Sequence, residues 1–268
     1  MSMEKSKSFA LVTGAASGLG FEFAQLLAED GYDLILVDVN EEQLLDTKKQ
    51  LSDNNQITVI SISQDLSYQN SAQDLYDKIQ SYPISILINN AGFGMFGSFH
   101  ENEWERELSM LNLHIVTLTH LTKLVLNDMV SRNHGKILNV SSLAAFQPGP
   151  LMALYYATKS YVLSFSEAIA NELKDTGVTV TAFCPGPTKT LFQETVSASN
   201  KEGKIAFNMG CPKEVTLYGY KAMLKGKTYA IPGKFNKFLA LLPRFLSRNA
   251  STKIVRKIQE KNRINEMS

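Results

Sequence analysis

Short apolar, β-branched runs recur along the chain, and each leads into a longer stretch whose apolar positions have helical spacing. The first run, F-A-L-V-T from Phe9, passes through G-A-A-S-G-L-G into F-E-F-A-Q-L-L-A-E-D-G, where the helical pattern stops at Gly31. The alternation returns with D-L-I-L-V-D (33–38) and a helix beginning near Glu41, then with I-T-V-I-S-I (57–62) and a helix from Ala72 to Ile79. I-S-I-L-I-N (84–89) is followed by one long helix from about Glu103 to Val130, and K-I-L-N-V-S (136–141) by the helix that carries Tyr155. V-T-V-T-A-F (178–183) and T-Y-A-I (228–231) complete the strands. Such alternation predicts an α/β fold with a doubly wound parallel sheet, covered on both faces and joined by right-handed crossovers. A chain of 268 residues, 44% hydrophobic, can bury the core of one large domain, and no longer repeat or composition break argues for a second.

Two stretches leave the pattern. Residues 190–212 are irregular and rich in Ser, Asn and Gly; following the carboxyl end of a strand, they read as a substrate lid. Residues 233–268 form a helical C-terminal extension in which apolar and basic positions alternate, too interrupted by Lys237, Pro243 and Arg244 to span a bilayer. A basic amphipathic stretch can lie on a membrane surface. The favoured reading is instead that Phe235, Phe238, Leu242 and Phe245 pack onto the domain or a partner subunit while the Lys and Arg side chains face water.

Composition narrows the function classes. A net charge of +1 gives no overall electrostatic reason to expect nucleic acid or an anionic membrane as partner. Cys184 and Cys211 are too few for a disulfide framework and sit in no metal spacing, and the four histidines fall in unrelated contexts, so no metal site is expected. The opening M-S-M-E-K-S-K-S has no apolar core of a signal peptide, and a cytoplasmic protein is expected.

The candidate chemistry begins at the glycine turn. Gly14, Gly18 and Gly20, with Ala16, Ser17 and Leu19 between them, stand where a strand gives way to a helix. Glycine permits close backbone approach there, and the helix N-terminus offers free N–H groups and partial positive charge to a pyrophosphate, the nucleotide-binding arrangement of a Rossmann fold. Asp38 ends the second strand 18 residues past Gly20, where a carboxylate accepts from adenosine ribose hydroxyls and repels a 2′-phosphate. With Ser17 and Val39 in the neighbouring slots, NAD is preferred over NADP; the competing role for Asp38 is a helix N-cap. Asp65 and Leu66 follow the third strand at the position beside the adenine, the alternative being a turn aspartate. Asn90, Ala91 and Gly92 close the fourth strand with residues small enough to admit a ribose.

Tyr155 and Lys159 stand four apart, on one face of a helix. An unperturbed tyrosine, with a pKa of about 10, needs roughly 4 kcal/mol to act near neutrality. An ammonium at about 4 Å and an effective dielectric of about 20 supplies a term of that order.

Together, T-G-A-A-S-G-L-G, N-N-A-G, a serine thirteen residues before the tyrosine, Y-Y-A-T-K and C-P-G-P-T-K-T at 184–190 resemble the short-chain dehydrogenase/reductases in order and spacing. The resemblance covers residues 8 to about 190 and is similar to a bacterial subgroup of broad substrate range. It implies Tyr155 as general acid/base, Lys159 as the cation that lowers its pKa and holds the nicotinamide ribose, Ser142 as the hydroxyl that orients the substrate oxygen, and Asn112 as support for a proton-relay water. It further implies that Pro185, Gly186, Thr188 and Thr190 bind the cofactor, the Thr188 backbone and the Thr190 hydroxyl meeting the nicotinamide carboxamide, and that the protein is a homodimer or homotetramer. Phe93, Met95, Phe96, Phe146, Leu191 and Phe192 suggest an apolar alcohol or carbonyl substrate. The expected activity is reversible hydride transfer between a secondary alcohol and a carbonyl with NAD. An NADPH-dependent ketoacyl-type or broad carbonyl reductase is the alternative within the same fold, and a catalytically silent nucleotide sensor or scaffold the alternative outside it.

Overall fold

The computed structural model describes residues 8–190 and 209–264, with side chains through residue 260. Seven strands form one sheet: β1 (Phe9–Thr13), β2 (Asp33–Asp38), β3 (Val59–Ser63), β4 (Ile84–Asn89), β5 (Gly135–Val140), β6 (Val178–Phe183) and β7 (Tyr229–Ala230). Their spatial order is β3-β2-β1-β4-β5-β6-β7, and every pairing is parallel. The order reverses direction at β1, so the crevice between β1 and β4 is the switch point at which such sheets bind ligands. Around the sheet lie α1 (Gly18–Glu29), α2 (Glu41–Asn54), α3 (Ser71–Ile79), α4 (Trp104–Leu111), α5 (Leu118–Ser131), α6 (Ala153–Glu172), α7 (Pro212–Leu224), α8 (Lys234–Leu241) and α9 (Arg248–Ile264).

Both faces of the sheet are buried, which is why its strands read as continuous apolar runs. Side chains alternate across β2: Leu34 and Leu36 join Phe23, Leu27 and Phe183 in one core, whereas Ile35 and Val37 join Leu75, Leu87 and Val125 in the other. The Phe23 and Phe183 rings meet edge to face with centroids 5.8 Å apart, tying α1 to β6.

Three expectations are corrected. The third strand starts at Val59, not Ile57, because its ladder with β2 begins at Leu34 opposite Val59, and Asp33 Oδ1 takes the N–H of Thr58. The long helix from Glu103 is broken: a π-helical turn, Asn112–Thr117, separates α4 from α5. A π turn inserts one extra residue, which shifts every later side chain around the axis; it buries His114 and leaves Val116 exposed. The extension's phenyl rings do not pack onto the described residues of the domain; the other expected occupant, a partner subunit, is not part of this single chain. Phe235, Phe238 and Phe245 are 69%, 59% and 83% exposed, while the opposite side of α8 buries Ala240 against Ala145, Cys184 and Ile231.

Candidate active site

The carboxyl ends of β1, β2, β4, β5 and β6 converge on one edge of the sheet, and the expected site residues stand there. Ser142, two residues beyond β5, is the N-cap of a 3₁₀ turn (Leu143–Phe146), its Oγ accepting from the Ala144 N–H at 3.1 Å. Tyr155 lies in the first turn of α6 and hydrogen-bonds Ser142. The Lys159 Nζ is 5.8 Å from the centre of the Tyr155 ring, and Ser141 Oγ donates to the Lys159 carbonyl at 2.8 Å. Serine, tyrosine and lysine are therefore in one cluster, held by β5 on one side and α6 on the other.

The electrostatics differ from the expected pattern in this state. Lys159 is buried and donates one of its three N–H groups to the Val140 carbonyl at 2.9 Å. Burial pushes the Lys159 ammonium down to about 8 and the Tyr155 phenol up to about 12; only the Ser142 hydrogen bond pulls the phenol the other way. Desolvation is the largest cause of the shift at each group. The expected lowering of Tyr155 by Lys159 is thus absent here, and Tyr155 is held as the protonated acid.

Opposite this cluster is the glycine turn. Gly14 adopts φ of +65°, and a Cβ there would lie 2.8 Å from Ala91 Cα; a Cβ on Gly20 would lie 1.9 Å from the Gly14 carbonyl oxygen. Only glycine allows so tight a turn. Ser17 occupies the N-cap position of α1 without a side-chain cap bond, so its hydroxyl takes none of the first-turn N–H groups of Gly18, Leu19 and Gly20. Thr190 touches the turn from the far side, 3.2 Å from where a Gly18 Cβ would be. The fit to a dinucleotide pyrophosphate is therefore good on the turn's own geometry: a backbone floor and a dipole with no capping side chain above it.

Other expected residues have more structural roles. Ala16 donates its N–H to Asp38 Oδ2 at 2.9 Å, and its carbonyl accepts from the Thr47 hydroxyl. Asp38 Oδ1 accepts from the Asn40 N–H at 3.0 Å, and Asn40, two residues later, is the N-cap of α2 in place of Asp38. Asn90 spends its side chain on the carbonyls of Thr13 and Gly14, both at 3.0 Å; it braces the glycine turn. Asp65 closes its own turn by accepting from Ser67, and Leu66 is buried in the core. Thr188 is buried with its hydroxyl on the Gly186 carbonyl, and Gly186 is overlaid by Asn236 of α8. The Pro185 carbonyl accepts from the Leu143 N–H at 2.9 Å, joining this loop to the 3₁₀ turn of Ser142. Asn112 is the first residue of the π turn.

Beside Tyr155 runs a narrow crevice whose walls include Met95, Phe99, Met110 and Met152, with the buried Glu107 carboxylate accepting from Asn102 at 3.0 Å. Phe93 borders the site through His114, whereas Phe146 packs with Ala145 and Ala240. Leu191, Phe192 and nearly all of the expected lid lie outside the described residues. A wider polar depression around Asp33, Asp53 and Asn55 lies at the opposite, amino-terminal end of the strands.

Residues 8–201 match the family model for short chain dehydrogenase. The chain belongs to the short-chain dehydrogenase family. It is an oxidoreductase of the alcohol/ketone type. It is 32% identical to the (S)-acetoin-forming diacetyl reductase of Staphylococcus epidermidis over 68% of this chain and 71% of that one. Among solved structures, it resembles a short-chain dehydrogenase from Sphingobium yanoikuyae in complex with NADPH, with 26% identity, a TM-score of 0.80, and 89% and 93% of the two chains covered. A ketone-specific alcohol dehydrogenase from Comamonas testosteroni, described as bulky-bulky, gives 25% identity, a TM-score of 0.77, and 88% and 91% coverage.

One residue of this dehydrogenase was missed from sequence. Thr158 Oγ1 donates to the Tyr155 carbonyl, so His114 Nδ1 must be the donor to Thr158, at 3.0 Å, and Nε2 accepts the Phe93 N–H at 3.2 Å. The two bonds fix a neutral tautomer and tie the N-N-A-G loop to α6. Burial and the nearby Lys159 push the imidazole well below 6.5. A base whose folded pKa is lowered is stabilising when neutral, so stability is expected to fall as pH drops below about 6.5. His114→Ala leaves a cavity and two unpartnered groups; denaturant titration is expected to show a loss of about 2–4 kcal/mol. A lone histidine in a helix carried no signal of this, because its partners are 21 and 44 residues away.

Proposed function

We propose that this dehydrogenase interconverts an apolar ketone and its secondary alcohol with NAD(H), using Tyr155 as acid/base. The observation that carries the reading is the Ser142–Tyr155 hydrogen bond beside Lys159, in a cluster that faces the glycine turn across the switch point. The nicotinamide ring, when bound, supplies or accepts the hydride. Ser142 holds the substrate oxygen, so the carbonyl presents one orientation to the ring. Tyr155 gives that oxygen a proton in reduction; its elevated pKa keeps it protonated, and the charge of Lys159 would assist its release. Lys159 contributes a positive charge that would offset the phenolate left behind. Gly14, Gly18 and Gly20 would seat the pyrophosphate, and the loop from Pro185 to Thr190 would face the carboxamide.

The preference for NAD rests on Asp38, whose carboxylate braces the glycine turn through Ala16 and stands at the ribose end of that turn. A 2′-phosphate there would meet a fixed negative charge. Fluorescence titration is expected to show NADH bound at least about tenfold more tightly than NADPH, and Asp38→Ala to erase the difference. Tighter NADPH binding by the unaltered protein would reject this role and favour the NADPH-dependent alternative. The apolar substrate rests on the side chains of Met95, Phe99, Met110 and Met152 beside Tyr155, in a crevice of about 10 Å³ that has to widen to admit a ketone, and the bulky-ketone specificity of the Comamonas relative is consistent with it. Screening ketones of graded size with both cofactors tests it: bulky apolar ketones should turn over, and turnover of small charged polyols alone would reject it.

A further inference from the structure

The net charge of +1 conceals a strong asymmetry. Residues 233–268 hold nine of the 27 Lys and Arg but two of the 26 Asp and Glu, a local charge of +7, so the preceding chain carries −6. The same segment exposes large apolar side chains in a repeated pairing: Lys234 precedes Phe235, Lys237 precedes Phe238, and Arg244 precedes Phe245, and all six are exposed. On α8 the inward positions are Asn236, against Gly186, and Ala240, in the small core with Ala145; Lys234, Phe235, Lys237, Phe238 and Leu241 occupy the outward arc. Lys237 lies over the Tyr218 ring at 5.6 Å, and the phenyl rings of the pairs are exposed among the described residues.

We propose that α8 and the following 3₁₀ turn (Leu242–Phe245) dock this protein on an anionic lipid bilayer, with the phenyl rings at the acyl boundary and the basic side chains among the headgroup phosphates. A helix that presents aromatic and basic side chains on one face has the chemistry of an interfacial helix, in which long cations extend to the headgroups while rings enter the apolar layer. No described helix is long and apolar enough to cross a membrane, so the association is peripheral. A second copy of the chain is the poorer occupant: a two-fold interface places the same patch on both subunits, and here it would bring the basic pairs together with no acidic residue between Lys234 and Arg248 to offset them. Docking also has a route to the site. The inner side of α8 rests on the Gly186 loop, and Gln259 of α9 donates to the Tyr156 hydroxyl at 3.0 Å, next to Tyr155 on the catalytic helix. The surface binds lipid whatever carbonyl the site reduces, so vesicle binding tests it separately from turnover.

Co-sedimentation of the full chain with phosphatidylcholine vesicles, with and without a minority of phosphatidylglycerol, decides the matter. Binding is expected to be at least about tenfold stronger on the anionic vesicles and to fall as salt is raised. Phe238→Ser/Phe245→Ser and Lys234→Glu/Arg244→Glu double variants should each lose it, with melting temperature and NADH affinity unchanged. Equal sedimentation with both vesicle types overturns the proposal, as does no binding to either. A stable dimer that the phenylalanine variant converts to monomer, without vesicle binding by the unaltered protein, overturns it in favour of a second copy.

Discussion

Tyr155→Phe is expected to lower carbonyl reduction by about 10³-fold while leaving NADH affinity within about twofold, because the phenol acts on the reacting oxygen and not on the dinucleotide. The phenyl ring keeps the packing against His114 and Tyr156, whose ring centroids are 6.1 and 6.2 Å away, so the fold has no reason to change. Ser142 alone can still orient the carbonyl, which is why a residual rate is expected. Steady-state kinetics with a turned-over ketone, paired with cofactor fluorescence titration, checks both halves. Near-full turnover in the variant would remove Tyr155 from the chemistry. Because burial holds the phenol at about 12, alcohol oxidation, which needs the phenolate, should gain more from rising pH than ketone reduction does.

Lys159→Met is the second large effect, and it should move activity and stability in opposite directions. Turnover is expected to drop by about 10²-fold or more, since the charge that would offset the phenolate is gone. The protein free of cofactor, however, should become more stable near neutrality. A lysine lowered from 10.5 to about 8 by burial binds protons less readily folded than unfolded, and the gap corresponds to about 3 kcal/mol against the folded state. That cost is fully present below about pH 8 and disappears as pH rises toward 10.5, so the variant's advantage should shrink across the same window. The Val140 carbonyl loses its partner in the variant, offsetting the gain by about 1 kcal/mol. Denaturant titrations at pH 7 and pH 10 measure the change; a variant less stable than the parent at pH 7 would show that the buried ammonium is not a net cost.

Much of this was legible in the chain because period and spacing are local signals. Strands buried on both faces announce themselves as apolar runs, and the glycine turn, Ser142, Tyr155 and Lys159 are separated by distances that a strand, a turn and a helix convert directly into proximity. Features that depend on three-dimensional competition were not legible. L-N-L-H-I-V-T-L-T keeps helical periodicity straight through the π turn, so the extra residue at Asn112–Thr117 left no mark. Asn90 reads as one more small polar residue at a strand end, yet its amide is committed to Thr13 and Gly14. The spacing of Lys159 from Tyr155 brought the ammonium beside the ring but gave no sign that one of its N–H groups is committed to the Val140 carbonyl. Phe235, Phe238 and Phe245 were expected to be covered by the domain or a partner subunit because exposed phenyl rings are costly in water; the described residues of this chain leave them exposed.

The most direct test of the central claim is transfer of deuterium. NADH carrying deuterium at the transferable ring carbon is incubated with an apolar ketone, and the product alcohol is analysed by mass spectrometry. The arrangement of Ser142, Tyr155 and Lys159 beside the glycine turn predicts one deuterium on the carbinol carbon, formed by the unaltered protein and not above background by Tyr155→Phe. Tight NADH binding with no labelled alcohol from any ketone offered would contradict it and leave a nucleotide-binding protein without the reaction.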